Sequence, residues 1–129
     1  MLTIDLESTA PLEEQVRRGL RHAIARGEVR PGECLPSVRQ LAGDLGIHWN
    51  TVARAYRRLR DEGLVVGGRG RRVVVRGLGG AARSGAGRHG IRARLREVLT
   101  EARLAGLSLP EVERLLATEV KRWQKEEQR

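Results

Sequence analysis

Apolar residues recur along this chain of 129 residues with a period that changes from segment to segment. Leu2, Ile4 and Leu6 alternate with polar neighbours, which predicts a weak strand or an extended arm. The spacing then turns helical. Leu12, Val16, Leu20, Ala23 and Ile24 share one face of a helix that opens at Pro11, a residue suited to a first turn, and stops at Gly27. Pro31-Gly32 marks a turn, and Cys34-Leu35 leaves room for only a very short strand or bridge.

Val38, Leu41, Ala42 and Leu45 predict a short second helix, with Ser37 and Gln40 at capping-box spacing and Gly46 as its stop. After the tight turn Ile47-His48, the residues Val52, Ala55, Tyr56 and Leu59 predict a third helix that closes at Gly63. Two short helices joined by a Gly-containing turn outline a helix-turn-helix. Leu64–Val66 and Val73–Val75 are β-branched runs around Gly67-Gly68-Arg69-Gly70-Arg71-Arg72, a hairpin with a Gly/Arg tip. In that order the elements make a winged helix-turn-helix over residues 1–76.

Residues 77–90 hold six Gly and no apolar period, which predicts a linker. Two further helices are expected in 91–129. Ile91, Leu95, Val98, Leu99 and Ala102 stripe the first, which Gly106 ends. Ser108 and Glu111 form a capping box for the second, and Leu107 and Val112 a hydrophobic staple. Val112, Leu115, Leu116, Val120 and Trp123 line it. The fold class is thus mainly α (α+β): a winged helix-turn-helix followed by a helical hairpin.

Charge sharpens this reading. The chain carries 25 basic and 16 acidic residues, a net +9. Residues 1–35 have five Arg and six acids, whereas 36–76 have nine Arg and three acids. Most of the positive excess therefore sits on the second and third helices and the wing, which points to a polyanionic partner. The third helix turns about 100° per residue, so Asn50, Arg54 and Arg57 lie opposite the apolar face. Asn pairs with adenine and Arg with guanine through two hydrogen bonds each, which makes these three the candidates for base readout. His48 and Trp49 stand at the helix entrance as candidates for contact with a thymine methyl or a phosphate, and His48 also reads as an N-cap substitute rather than a metal ligand. Trp49 divides between a DNA contact and packing over the first helix. Tyr56 is expected in the core with its hydroxyl at the surface. Ser37, Arg39 and Thr51 are candidates for phosphate, while at the wing tip Arg69, Arg71 and Arg72 are candidates to enter a minor groove or line phosphates and Gly70 lets the backbone approach DNA closely.

The residues resemble the GntR family of bacterial transcription regulators. The resemblance covers residues 9–76. It runs through Pro11-Leu12-Glu13-Glu14-Gln15, Pro31-Gly32, Leu35-Pro36-Ser37-Val38-Arg39-Gln40-Leu41-Ala42, Leu45-Gly46, Asn50-Thr51-Val52-Ala53-Arg54-Ala55-Tyr56, Glu62-Gly63-Leu64 and Gly68-Arg69-Gly70. The short tail, with Glu101-Ala102-Arg103 and Gly106-Leu107-Ser108, looks like the YtrA-type branch. That resemblance implies a dimerising tail and a repressor of transporter operons. Ala53 stands where other branches place a DNA-contacting Arg, so that contact is not carried over.

Other classes fare less well. His22, His48 and His89 fall on separate segments, and no nucleophile triad, carboxylate pair or phosphate loop appears, so neither catalysis nor a cofactor nor a metal is expected. The single Cys34 excludes an intrachain disulfide and reads as a small packing residue more readily than as a redox handle. No apolar run is long enough for a membrane span, and the first residues do not read as a signal peptide, so a cytoplasmic protein is expected. A winged helix that binds RNA or protein, and a DNA protein without sequence preference, remain as alternatives. The two tail helices bury too little alone, so Leu95, Val98, Leu99, Ala102, Val112, Leu115, Leu116, Val120 and Trp123 are expected to pair with a second copy, on a palindromic duplex. Whether a small-molecule effector exists is left open.

Overall fold

The computed structural model describes residues 2–68, 70–77 and 87–127. The chain divides into two units, Met1–Ser84 and Gly85–Arg129. In the first, three helices run α1 (Leu12–Ala25), α2 (Val38–Leu45) and α3 (Trp49–Asp61), followed by β1 (Val65–Val66) and β2 (Val74–Val75). The second holds α4 (Arg88–Leu104) and α5 (Leu109–Glu127).

The predicted apolar faces converge on one core. Val16, Leu20, Ala23 and Ile24 of α1 meet Leu41 and Ala42 of α2, Val52, Ala55, Tyr56 and Leu59 of α3, and Val65 and Val75 of the hairpin. Burying each large aliphatic side chain stabilises the unit by roughly 1.5–3 kcal/mol. Ion pairs lock the outer side of α1 to α3. Arg17 reaches both Glu14 (3.3 Å) and Glu62 (3.1 Å), Arg21 reaches Glu62 (3.4 Å), and Arg58 reaches Glu13 (3.6 Å).

The helix ends explain the tight geometry of α2 and α3. Ser37 Oγ accepts the Gln40 N–H at 3.1 Å and opens α2. Gly46 closes it with φ 69°, a left-handed conformation that a side chain resists. His48 Nδ1 accepts the Asn50 N–H at 3.1 Å and opens α3. Histidine thus fills the N-cap role expected of it.

The hairpin pairs Val65 with Val75 and Val66 with Val74, antiparallel. Its second strand is also held from the other side. Cys34 bridges to Val74, and the Leu35 N–H donates to the Val73 carbonyl at 2.8 Å. The wing is therefore anchored to the segment that leads into α2.

Of the two readings for the N-terminal residues, 2–8 take the arm rather than the strand: Leu2 and Ile4 pack on the core, and Gln15 pins the arm by accepting from the Asp5 N–H (2.8 Å) and donating to the Asp5 carbonyl (3.0 Å). Three local expectations change. Pro11 is the N-cap of α1 rather than its first-turn residue. Cys34 is exposed rather than packed, because the bridge to Val74 turns its side chain away from the core. Tyr56 is fully buried, hydroxyl included, and donates to the Pro36 carbonyl at 2.7 Å.

In the second unit, α4 begins at Arg88, three residues before the apolar stripe. Residues 78–86, most of the expected linker, lie outside the described residues. The capping box of α5 closes in both directions, with Ser108 Oγ accepting the Glu111 N–H (3.3 Å) and Glu111 Oε2 accepting the Ser108 N–H (3.4 Å). No described residue of this unit is buried.

Candidate nucleic-acid interface

A groove of about 1000 Å³ runs between the N-terminal end of α2, one side of α3 and the wing. Its walls carry Arg39 from α2, Arg57 and Arg60 from α3, and Arg71 and Arg72 from the wing. Among the described residues no acidic side chain lines it. Five guanidiniums facing one concavity, with no carboxylate to neutralise them, create a site for a polyanion. Arg39, Arg54, Arg57, Arg71 and Arg72 form no ion pair among the described residues. The arginines of α1 are spent differently: Arg17, Arg18 and Arg21 each face a glutamate.

Of the candidate residues, Ser37, Arg39, Trp49, Arg57, Gly70, Arg71 and Arg72 are brought together along this groove. Asn50 and Arg54 are placed outside it by helix geometry, on the outer face of α3 opposite Val52, Ala55, Tyr56 and Leu59. Arg54 is exposed, and Asn50 is half-buried. Thr51 falls on the flank of α3 that carries Arg58, the side tied to α1. His48 stacks on Trp49 at a ring separation of 5.5 Å, and Trp49 remains 52% exposed. A smaller hollow beside this pair is lined by Arg39, Ala42 and Ile47, so Trp49 leans toward α2 rather than over α1. Arg69 lies outside the described residues.

Arg60 escaped the sequence reading. It lies on the groove side of α3 with Trp49 and Ala53, and its Nη1 donates to the Gly67 carbonyl at 3.2 Å. It also occupies the space beside Gly68, where a Cβ would sit 2.6 Å from Nη1 and where φ is +122°. Gly68 thus allows the wing to close against an arginine. The available signal was the helix wheel, which puts Arg60 on the wing side rather than the outer face. Arg60→Ala is expected to speed hydrogen exchange of the wing amides while lowering global stability by no more than about 1 kcal/mol. Unchanged exchange at Gly70 and Arg71 would show that the wing is held without it.

Tyr56 fixes the relation of the two helices that frame the groove. Its hydroxyl bond to Pro36 ties the middle of α3 to the residue before the α2 cap. Burial of the phenol raises its pKa well above the ordinary value of 10.0, so it stays a donor. Among the described residues no group of three or more His, Cys, Asp or Glu is placed to hold a metal ion. Nor is any helix among them long and apolar enough to cross a membrane.

Comparison with known proteins agrees with this geometry. The family described as bacterial regulatory proteins, gntR family, matches residues 12–75. YtrA from Sulfolobus acidocaldarius, described as a GntR-family transcription factor, is 37% identical over 77% of this chain and 97% of its own, with a TM-score of 0.62. The chain belongs to the GntR family. It is a YtrA-like member, 37% identical over 75 residues to the HTH-type transcriptional repressor YtrA of Bacillus subtilis, covering 58% of each. The HTH-type transcriptional regulator Rv1152 of Mycobacterium tuberculosis is 44% identical over 64 residues, 50% of this chain and 53% of that protein. The alignments thus span just over half the length of these two curated relatives. A transcriptional antiterminator from Listeria monocytogenes EGD-e shares the fold over 95% of this chain and 92% of its own, at TM-score 0.77 and 21% identity. In this GntR protein the matched region contains the whole groove and both of its helices.

Proposed function

We propose that the chain is a sequence-specific DNA-binding transcriptional regulator that acts as a repressor in the cytoplasm. It binds a palindromic operator as a homodimer and works by binding, not catalysis. Residues 1–76 meet the DNA, and the helices within 91–129 join two copies. The observation that carries this reading is the acid-free groove whose five arginines come from three separate elements. A winged helix presents its third helix to the major groove, and that places Asn50, Arg54 and Arg57 at base edges. Arg39, Ser37 and Thr51 then face phosphates, while Arg71 and Arg72 extend the contact through the wing. The relatives named as a transcriptional regulator and a transcriptional repressor support the role; a transporter operon is the proposed target.

Dimerisation rests on the exposed apolar stripes of α4 and α5. Leu95, Val98, Leu99, Leu115, Leu116, Val120 and Trp123 are all exposed, and Ala102 and Val112 are half-buried. A second copy covers such a face with the same face of its own.

Two substitutions separate readout from general attraction. Arg54→Ala is expected to cost about 1–3 kcal/mol on the preferred sequence and to relax preference at one base pair. Arg71→Ala is expected to weaken preferred and random duplexes alike. Fluorescence anisotropy on both duplexes checks this, and equal losses for both variants on both duplexes would remove the recognition role from α3.

A further inference from the structure

We propose that α4 carries a second, sequence-independent contact to the phosphate backbone of duplex DNA, made by Arg88, Arg92 and Arg96. This rests on the DNA-binding reading above. In the C-terminal unit, residues 85–96 contain four arginines and no acidic residue, whereas 97–129 contain six basic and seven acidic residues. The positive excess of the C-terminal unit is therefore confined to one end of one helix. Spacing by four residues advances each arginine only about 40° around the axis, so the three form a ridge roughly 12 Å long. All three are exposed, and none joins an ion pair among the described residues.

This arrangement costs the helix stability. Like charges at i,i+4 disfavour a helix. Positive charge in the first turn also opposes the helix dipole, and α4 has neither an acidic residue there nor a side-chain cap. An anionic partner relieves both. A ridge of three cations suits a strand that presents closely spaced phosphates, one charge about every 3.4 Å of axis. The winged helix of the same chain is read above as binding duplex DNA, which makes a duplex the polyanion proposed for this ridge. The apolar stripe centres on Ile91, Val98 and Ala102, on the face next to the ridge, and Ile91 and Val98 are exposed there for the partner copy.

The test uses the full chain with Arg88, Arg92 and Arg96 all changed to Ala. A control changes Arg114, Lys121 and Lys125 of α5 to Ala, removing the same charge elsewhere. Alanine is the best helix former, so α4 is expected to keep its helicity, which circular dichroism checks. Binding to a preferred and a random duplex is followed across salt concentrations. The α4 variant is expected to lose about 2.7 units of the salt-dependence slope per protomer, at 0.9 per phosphate contact, and to weaken both duplexes in the same proportion. The control is expected to keep its slope. An unchanged slope in the α4 variant, or equal losses in both variants, would overturn the inference. Failure of the unsubstituted protein to bind any duplex would overturn the functional reading, and this inference with it.

Discussion

Replacing Tyr56 by alanine is expected to destabilise the N-terminal unit by about 3–5 kcal/mol, a large share of the roughly 5–15 kcal/mol that holds a small domain folded. The ring is fully buried at the centre of α3 and touches a core to which every helix of the unit contributes. Truncation removes that packing and leaves a cavity beside Leu59 and Val52. It also deprives the Pro36 carbonyl of the donor that ties α2 to α3. Tyr56→Phe separates the two effects, since it keeps the ring and removes only the bond. It is expected to cost about 1–3 kcal/mol through the unpaired carbonyl. Alkali provides a further check. Burial raises the phenol pKa above 10.0, so above that pH the unfolded chain loses a proton that the folded chain retains. Stability from this group is complete below pH 10.0 and falls as pH rises beyond it, and the Phe variant lacks that component. Urea unfolding of the three proteins at neutral and alkaline pH measures both effects. Wild-type stability in the alanine variant would show that this residue does not hold the helix pair.

A carboxylate on the apolar stripe of α4 or α5 is expected to abolish self-association. Leu99 and Leu116 are 40% and 53% exposed in the single chain, and no described residue of their unit is buried. On a monomer, Leu99→Asp is a surface change worth within about 0.5 kcal/mol. In a dimer the same carboxylate is forced into an apolar contact and loses its hydration, which costs several kcal/mol. The unsubstituted protein is expected to scatter light as a particle of twice 14.3 kDa at micromolar concentration, and the Leu99→Asp and Leu116→Asp variants as one of 14.3 kDa. A monomeric unsubstituted protein would contradict the pairing. Loss of the dimer is also expected to cost most of the affinity for a two-half-site duplex, because each winged helix then binds alone.

The features legible in the sequence are those set by local periodicity. The apolar faces of α1, α2 and α3, the Gly46 stop, the Ser37 cap and the Ser108/Glu111 capping box follow from residues within a turn or two of one another. The acid-poor stretch that lines the groove was also visible, since charge sign needs no coordinates. What escaped depends on contacts across the chain. The Tyr56 hydroxyl finds Pro36 twenty residues earlier, and Arg60 finds a backbone carbonyl in the wing, which no side-chain pattern records. Cys34 looked like a packing residue until its bridge to Val74 turned it outward. Leu2 and Ile4 alternate as a strand does, but Gln15 supplies the bonds that a neighbouring strand would have made. The start of α4 was hidden because Arg88, His89 and Gly90 carry no apolar signal.

Selection of bound duplexes from a random library, by the full chain at near-physiological salt, tests the DNA-reading role most directly. Enrichment of a palindrome is expected, with half-sites about one helical turn or a multiple of it apart. Recovery of duplexes with no shared sequence would contradict it.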